Sequence, residues 1–241
     1  MNVLAIGAHP DDIKALCAGT LARYAQQGAR VVMCMMTDGR NHPTGDPHAI
    51  AGLRRAEAQA SAGLIGAELV WMGIPDGTLE VDLEKKIALV NVILAANPDV
   101  ILTHSPEDYH SDHIAASRLS ATAIQMAWAP PQACQGEPVR KPVPVAFAAT
   151  DLGINFQPED YVDISSVWEL KLEMLLQHRS QYLPAPPYDR SQVREPLDQF
   201  YIVHLTRVMS EFYGLACGAA YAESFRWWRA ADRIVPRRVL P

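Results

Sequence analysis

The sequence predicts an α/β fold: a Rossmann-like, doubly wound, mostly parallel sheet followed by a C-terminal helical and loop cap. Two observations carry this. Short apolar runs alternate with helical patterns four times before residue 150, and crossovers of that length return the chain to the same sheet edge, which makes consecutive strands parallel. The residues just after four successive strands are carboxylates or imidazoles, on the edge where open α/β sheets bind ligands.

The strands are read at 3–8, 31–36, 69–73, 100–103 and 145–149, each an apolar run bounded by turn or charged residues. Between them, helices are read at 13–27, closed by Gly28, at 49–65, closed by Gly66, at 83–96, closed by Asn97-Pro98, and at 114–128, closed by Pro130-Pro131. After residue 149 the pattern changes to a polar loop at 151–161, a helix near 167–181, a Pro-rich loop at 183–187 and a helix near 197–215. This part is expected to cap the sheet rather than extend it, so that 1–150 is the core and 151–241 the cap of one domain, 1–241. The last stretch, 225–241, carries Trp227, Trp228 and five arginines and reads as a subunit contact in a homo-oligomer or as a solvated tail.

Composition narrows the class. With 241 residues, 49% hydrophobic and 20% charged, the chain can bury a sizeable core. A net charge of -6 leaves no broad basic face, which argues against nucleic acid as a partner. No run approaches the roughly 18 apolar residues of a membrane span. Cys17, Cys34, Cys134 and Cys217 show no framework spacing, and the start of the chain has no export pattern, so a cytoplasmic protein is expected.

The chemistry sits at the strand ends. The first delivers His9-Pro10-Asp11-Asp12, the second Thr37-Asp38-Gly39, the third Pro75-Asp76-Gly77, and the fourth His104 and then His110-Ser111-Asp112-His113. Two carboxylates and an imidazole crowded at one strand end call for a cation between them. His and Asp ligands favour Zn2+, with Fe2+ as the alternative that two histidines and a carboxylate also suit. His9 and Asp12 converge from the first loop, and His113, with His110 one turn earlier on the same side, supplies the third ligand. Asp11 is left as a general base beside the metal. His110, held protonated by Asp112, is placed to steady an oxyanion. The chemistry that follows is hydrolysis of an amide.

The motif Ala8-His9-Pro10-Asp11-Asp12 and the later His110-Ser111-Asp112-His113 resemble the LmbE-like (PIG-L) N-acetylglucosaminyl deacetylases. So do Gly19-Thr20-Leu21, Arg54 with Glu57, Pro75-Asp76, Val162-Asp163-Ile164-Ser165, Lys171, Ser180-Gln181 and Tyr221-Ala222-Glu223-Ser224-Phe225, in the same order over most of the chain. The resemblance implies a zinc-dependent deacetylase of a small N-acyl amino-sugar conjugate, with His9, Asp12 and His113 on zinc, Asp11 as base, His110 on the oxyanion and Asp112 orienting it. It also implies that Arg54 and Asp76 contact substrate. Two positions depart from the family pattern. Ser111 stands where Pro is usual, and Lys14 stands where Glu is common; a lysine at the mouth of the site would favour an anionic substrate.

Two other readings compete. One is another metal-dependent amidase or a hydratase of the same family, which would share ligands and base. The other is a non-enzymatic or nucleotide-binding Rossmann module, but that needs G-x-G-x-x-G after the first strand, and only Gly7 and Gly19 are present around the His-Pro-Asp-Asp turn.

Overall fold

Alternating apolar and amphipathic stretches become alternating strands and helices. The computed structural model describes residues 1–43, 45–183, 188–189, 191, 197–229 and 240–241. Five strands run parallel: β1 (Asn2–Gly7), β2 (Arg30–Thr37), β3 (Glu68–Ile74), β4 (Val100–Thr103) and β5 (Val145–Ala148). Between and after them come α1 (Asp12–Leu16), α2 (Ala18–Gln26), α3 (Pro47–Gly63), α4 (Leu83–Ala96), α5 (Ser111–Met126), α6 (Trp168–Leu176) and α7 (Tyr201–Cys217).

Period-2 alternation sends successive β1 side chains to opposite faces. Val3 and Ala5 join the core with Ile13, Leu21, Tyr24, Trp168 and Met174, whereas Leu4 and Ile6 join that with Leu89, Ile93, Leu119 and Ala123. Helices therefore cover both faces, α1, α2 and α6 on one and α4 and α5 on the other. The sheet order is β3-β2-β1-β4-β5-β7-β6. The chain winds outward from β1 in one direction and then returns to the other side of it with β4, so the switch point lies between the carboxyl ends of β1 and β4.

Two expectations are corrected. The C-terminal part extends the sheet: β6 (Asp160–Asp163) and β7 (Ala222–Trp227) are antiparallel to each other, and β7 pairs antiparallel with β5. Both are short and mix polar with apolar residues, so they lack the run of hydrophobics that marked the parallel strands. Of the stretch read as a tail, Phe225 to Trp227 thus belongs to β7, while 230–239 lies outside the described residues, as does 184–187 of the Pro-rich loop. Nor is the first helix continuous. At Cys17 the backbone leaves helical geometry (φ -146°, ψ 17°), and α2 starts afresh.

The break has a long-range cause. The free amides of Gly19 and Thr20 at the start of α2 donate to the two carboxylate oxygens of Glu223 on β7, at 2.9 and 2.7 Å. An anion placed there satisfies orphan donors and complements the helix dipole. Glu223 is itself paired with Lys171 of α6 at 2.6 Å, and Lys171 Nζ also donates to Ala15 O at 2.8 Å. Close approach is required at Gly19, where a Cβ would stand 2.7 Å from the Ile164 side chain. Among the described residues, no helix is long and apolar enough to cross a membrane.

Both partners of the Lys171–Glu223 pair are about 1% exposed, so Lys171→Met would strand a buried charge and should cost about 3–5 kcal/mol. Adding Glu223→Gln removes that charge and keeps an acceptor for α2, so the double variant should regain part of the loss. Equilibrium urea unfolding measures both. A double variant no more stable than Lys171→Met would show that the lysine does not act by answering this charge.

Candidate functional site

At the end of β1 the chain makes a tight turn in which His9 N–H donates to Asp12 Oδ2 at 2.6 Å, folding the His-Pro-Asp-Asp segment back on itself before α1 begins. The Pro10 carbonyl on the inner side of this turn accepts from Lys14 Nζ at 2.7 Å. Lys14 is fully buried, and burial lowers its pKa to about 7 against the pull of Asp11 and Asp12. The expectation of a lysine at the mouth of the site is therefore corrected: it lies beneath the turn as a brace. From the end of β4 the chain runs through His104 to His110, which caps α5, and His113 follows in the first turn of that helix.

These two segments meet across the switch point. His9 Nδ1 lies 3.2 Å from His113 Nε2 and 3.3 Å from Asp12 Oδ2, and His113 Nε2 lies 3.4 Å from Asp12 Oδ1. Ligand atoms at about 2.0–2.1 Å from a tetrahedral ion stand roughly 3.3–3.4 Å apart, and the three side chains approach one another at that spacing, His9 through one Asp12 oxygen and His113 through the other. Neighbouring trios with His104, with His110, or with Asp76 and Asp112 are also compact. Atoms of these trios also make hydrogen bonds, as Asp12 Oδ2 does with the His9 N–H: His104 Nε2 accepts the Ala8 N–H at 3.0 Å, His110 Nδ1 accepts the Asp112 N–H at 3.2 Å, and Asp112 Oδ2 accepts the Gly77 N–H at 2.8 Å.

The outer nitrogens of both imidazoles face carboxylates. His9 Nε2 is 3.1 Å from Asp76 Oδ1 and 3.6 Å from Asp112 Oδ2, and His113 Nδ1 is 3.1 Å from Asp108 Oδ1. The last is a contact of distance, without the alignment of a hydrogen bond. A carboxylate behind each imidazole is the arrangement that orients metal-binding histidines. Burial disfavours charge on both rings, but Asp12, with Asp112 and Asp76, pushes the pKa of His9 up to about 12, and Asp12 with Asp108 pushes that of His113 up to about 10. Against its own burial, Asp12 is held well below the usual carboxylate range by His113, His9 and His104.

The remaining expected residues line or back one cavity of about 390 Å³, which opens over the triangle and includes Asp11, Arg54, Asp76, Tyr109 and His110. Asp11 Oδ1 accepts from Arg54 Nη2 at 2.5 Å, and Arg54 Nη1 donates to Gly39 O at 2.9 Å. Arg54 is only 4% exposed, with its two terminal nitrogens on Asp11 and Gly39 O, and it lines the cavity. The Asp112 carboxylate turns to His9 and Gly77, while its backbone amide reaches the His110 ring; burial with the charges of His9 and His113 lowers the pKa of His110 against the pull of Asp112. With Nδ1 accepting a backbone amide, the neutral His110 ring carries its proton on Nε2.

Sequence reasoning missed Asp108 behind His113 and Asp151 in the cavity wall. A signal existed for each. Asp108 shares the loop of His110, and Asp151 follows the fifth strand as Asp38 and Asp76 follow the second and third. Asp38 is buried and accepts from Arg40 and from the Asp76 N–H, which fixes the Asp76 loop. His104 stacks on His113 at 4.1 Å and lies 3.0 Å from Asp12 Oδ2. His178 is buried, and burial with Lys14 and Arg54 nearby drives its pKa well down.

Known proteins resemble this chain in sequence and fold. Residues 4–124 match the family model described as PIG-L: GlcNAc-PI de-N-acetylase. The diacetylchitobiose deacetylase of Thermococcus kodakarensis is 29% identical, over 94% of this chain and 82% of its own. The 4-oxalmesaconate hydratase of Pseudomonas putida is 28% identical over 70% of each chain. Among solved structures, N,N'-diacetylchitobiose deacetylase from Pyrococcus horikoshii is similar with a TM-score of 0.78 at 26% identity, covering 94% of this chain and 83% of that one. The family match takes in both the His9–Asp12 turn and His113, and the fold is shared over nearly the whole chain: the protein belongs to the PIG-L (LmbE-like) family.

Proposed function

We propose that the protein is a zinc-dependent hydrolase that deacetylates an N-acetylglucosamine-type sugar or a related N-acyl amino-sugar conjugate. The observation that carries this is the triangle of His9 Nδ1, Asp12 and His113 Nε2, with carboxylates behind both imidazoles and one further carboxylate, Asp11, beside them in the cavity. Nitrogen and carboxylate donors at this spacing suit zinc, and Fe2+ shares the donor set. Bound there, zinc supplies Lewis acidity toward an amide carbonyl oxygen and toward water.

The chain's own groups do the rest. Asp11 accepts the proton of the attacking water; with Arg54 on Oδ1, the proton goes to Oδ2. Arg54 holds that carboxylate in place at both ends of its fork, one on Asp11 and one on Gly39 O. His110 presents Nε2–H to the carbonyl oxygen as it gains negative charge, a donor whose direction is set by the Asp112 N–H on the far side of the ring. Asp11, once protonated, returns the proton to the departing amine. Asp76, expected to contact substrate, has Oδ1 on His9 and acts through that ring while its loop lines the cavity.

Asp11→Asn should keep zinc and lose about 10²–10⁴-fold in kcat with little change in KM, because general-base catalysis is removed and binding is not. Arg54→Ala should also act mainly on kcat, since it frees the base to turn away. Metal analysis and amine-release kinetics on N-acetylated sugars check both; a variant of Asp11 that loses zinc would make Asp11 a ligand.

Asp12 and the neighbouring carboxylates push the pKa of His9 up to about 12 and that of His113 up to about 10, so zinc at pH 7 displaces at least one proton from the pair, whose facing nitrogens lie 3.2 Å apart. Affinity should therefore fall as the pH falls, and calorimetry in buffers of different ionisation enthalpy should show the release. Asp76→Asn and Asp108→Asn should each weaken zinc binding by about 10–100-fold. Zinc binding without proton release would mean that the imidazoles are not the ligands.

A further inference from the structure

Five aspartates line the cavity, Asp11, Asp12, Asp76, Asp108 and Asp151, against one arginine. That arginine, Arg54, is spent on Asp11 and Gly39, and Lys14 lies under the turn rather than in the wall. Even with a divalent ion in place the wall stays net negative. Four of the five aspartates are engaged: Asp11 with Arg54, Asp12 with both imidazoles, Asp76 with His9 and Asn41, Asp108 with His113 and the His110 amide. Asp151 is different. It stands in the turn after β5, where the hydroxyl of the exposed Tyr109 reaches its Oδ2 only at 3.4 Å.

We propose that Asp151 is a specificity-determining residue, which takes an ammonium group of the substrate, so that the enzyme prefers an N-acetyl sugar carrying a second, free amine and disfavours one carrying a phosphate or carboxylate. This inference rests on the deacetylase reading of the same cavity. Asp151, in the turn after the fifth strand, lines the same cavity as Asp11 and His110, and a donor arriving there displaces a long tyrosine contact. Burial and the nearby carboxylates of Asp12, Asp108 and Asp11 push the Asp151 pKa up to about 6 against the pull of His113. An ammonium group adds positive charge among these carboxylates, whereas an acid substrate meets repulsion.

The test compares three probes: N,N'-diacetylchitobiose, which is neutral, its singly deacetylated forms, which carry an ammonium group, and N-acetylglucosamine 6-phosphate. Binding to the zinc-loaded protein is read by calorimetry, and turnover by release of acetate. The ammonium probe should bind on the order of tenfold more tightly than the neutral one, the worth of one charge-assisted hydrogen bond, and the phosphate more weakly than either. Asp151→Asn should abolish the ratio between cationic and neutral probes through KM, and Asp151→Glu should restore part of it. Equal affinities in the wild type, a preference that survives Asp151→Asn, or tight binding of the phosphate each overturns the proposal. If no probe releases acetate, the deacetylase reading fails, and the calorimetric order still decides Asp151.

Discussion

Like charges are crowded at one sheet edge, and the rest of the site answers to that crowding. Two carboxylates 4 Å apart repel by about 4 kcal/mol at an effective dielectric of 20. Asp12, Asp76, Asp108 and Asp112 nonetheless stand around two imidazoles, because each is fixed from behind by a rigid strand end, a backbone amide or a ring nitrogen. The same carboxylates raise the pKa values of both imidazoles.

Within that crowd the supporting groups divide the work. Arg54 answers only Asp11, Asp76 and Asp112 share His9, Asp108 stands behind His113, and the Asp112 amide turns His110. A carboxylate here is defined by which nitrogen it faces. Two adjacent residues such as Asp11 and Asp12 can thus differ in role although they share a turn, since one points at the imidazoles and the other at the guanidinium.

Much of this was legible in the sequence. The parallel core shows in runs such as Val31 to Met36, which are apolar on both faces because both are covered, and the strand-end rule led directly to His9, Asp12 and His113. What was hidden depends on contacts between distant segments. Lys14 reads as a surface charge because nothing local says that it folds under Pro10, and the break at Cys17 depends on a carboxylate some two hundred residues away. Asp112 looked like a partner of His110 because they are neighbours in sequence, whereas helix geometry turns its side chain toward β1. β6 and β7 escaped notice because Asp160–Asp163 and Ala222–Trp227 interleave polar residues that side chains and loops satisfy elsewhere.

The place of β7 bears on how the chain is made. It is the last of the described strands in sequence, yet it lies inside the sheet between β5 and β6, and it carries the Glu223 that holds the start of α2. A ribosome delivering the chain from its N-terminus presents the whole parallel core, and every residue of the His and Asp cluster, long before that strand emerges. Until then β5 is an open edge and α2 lacks its anion, so the nascent core is exposed to the pairing errors that unprotected edges invite. Completion of the sheet thus waits for a strand some two hundred residues after β1, and contacts of such long sequence separation form slowly. A half-made chain carries the site residues without the framework that holds them in register.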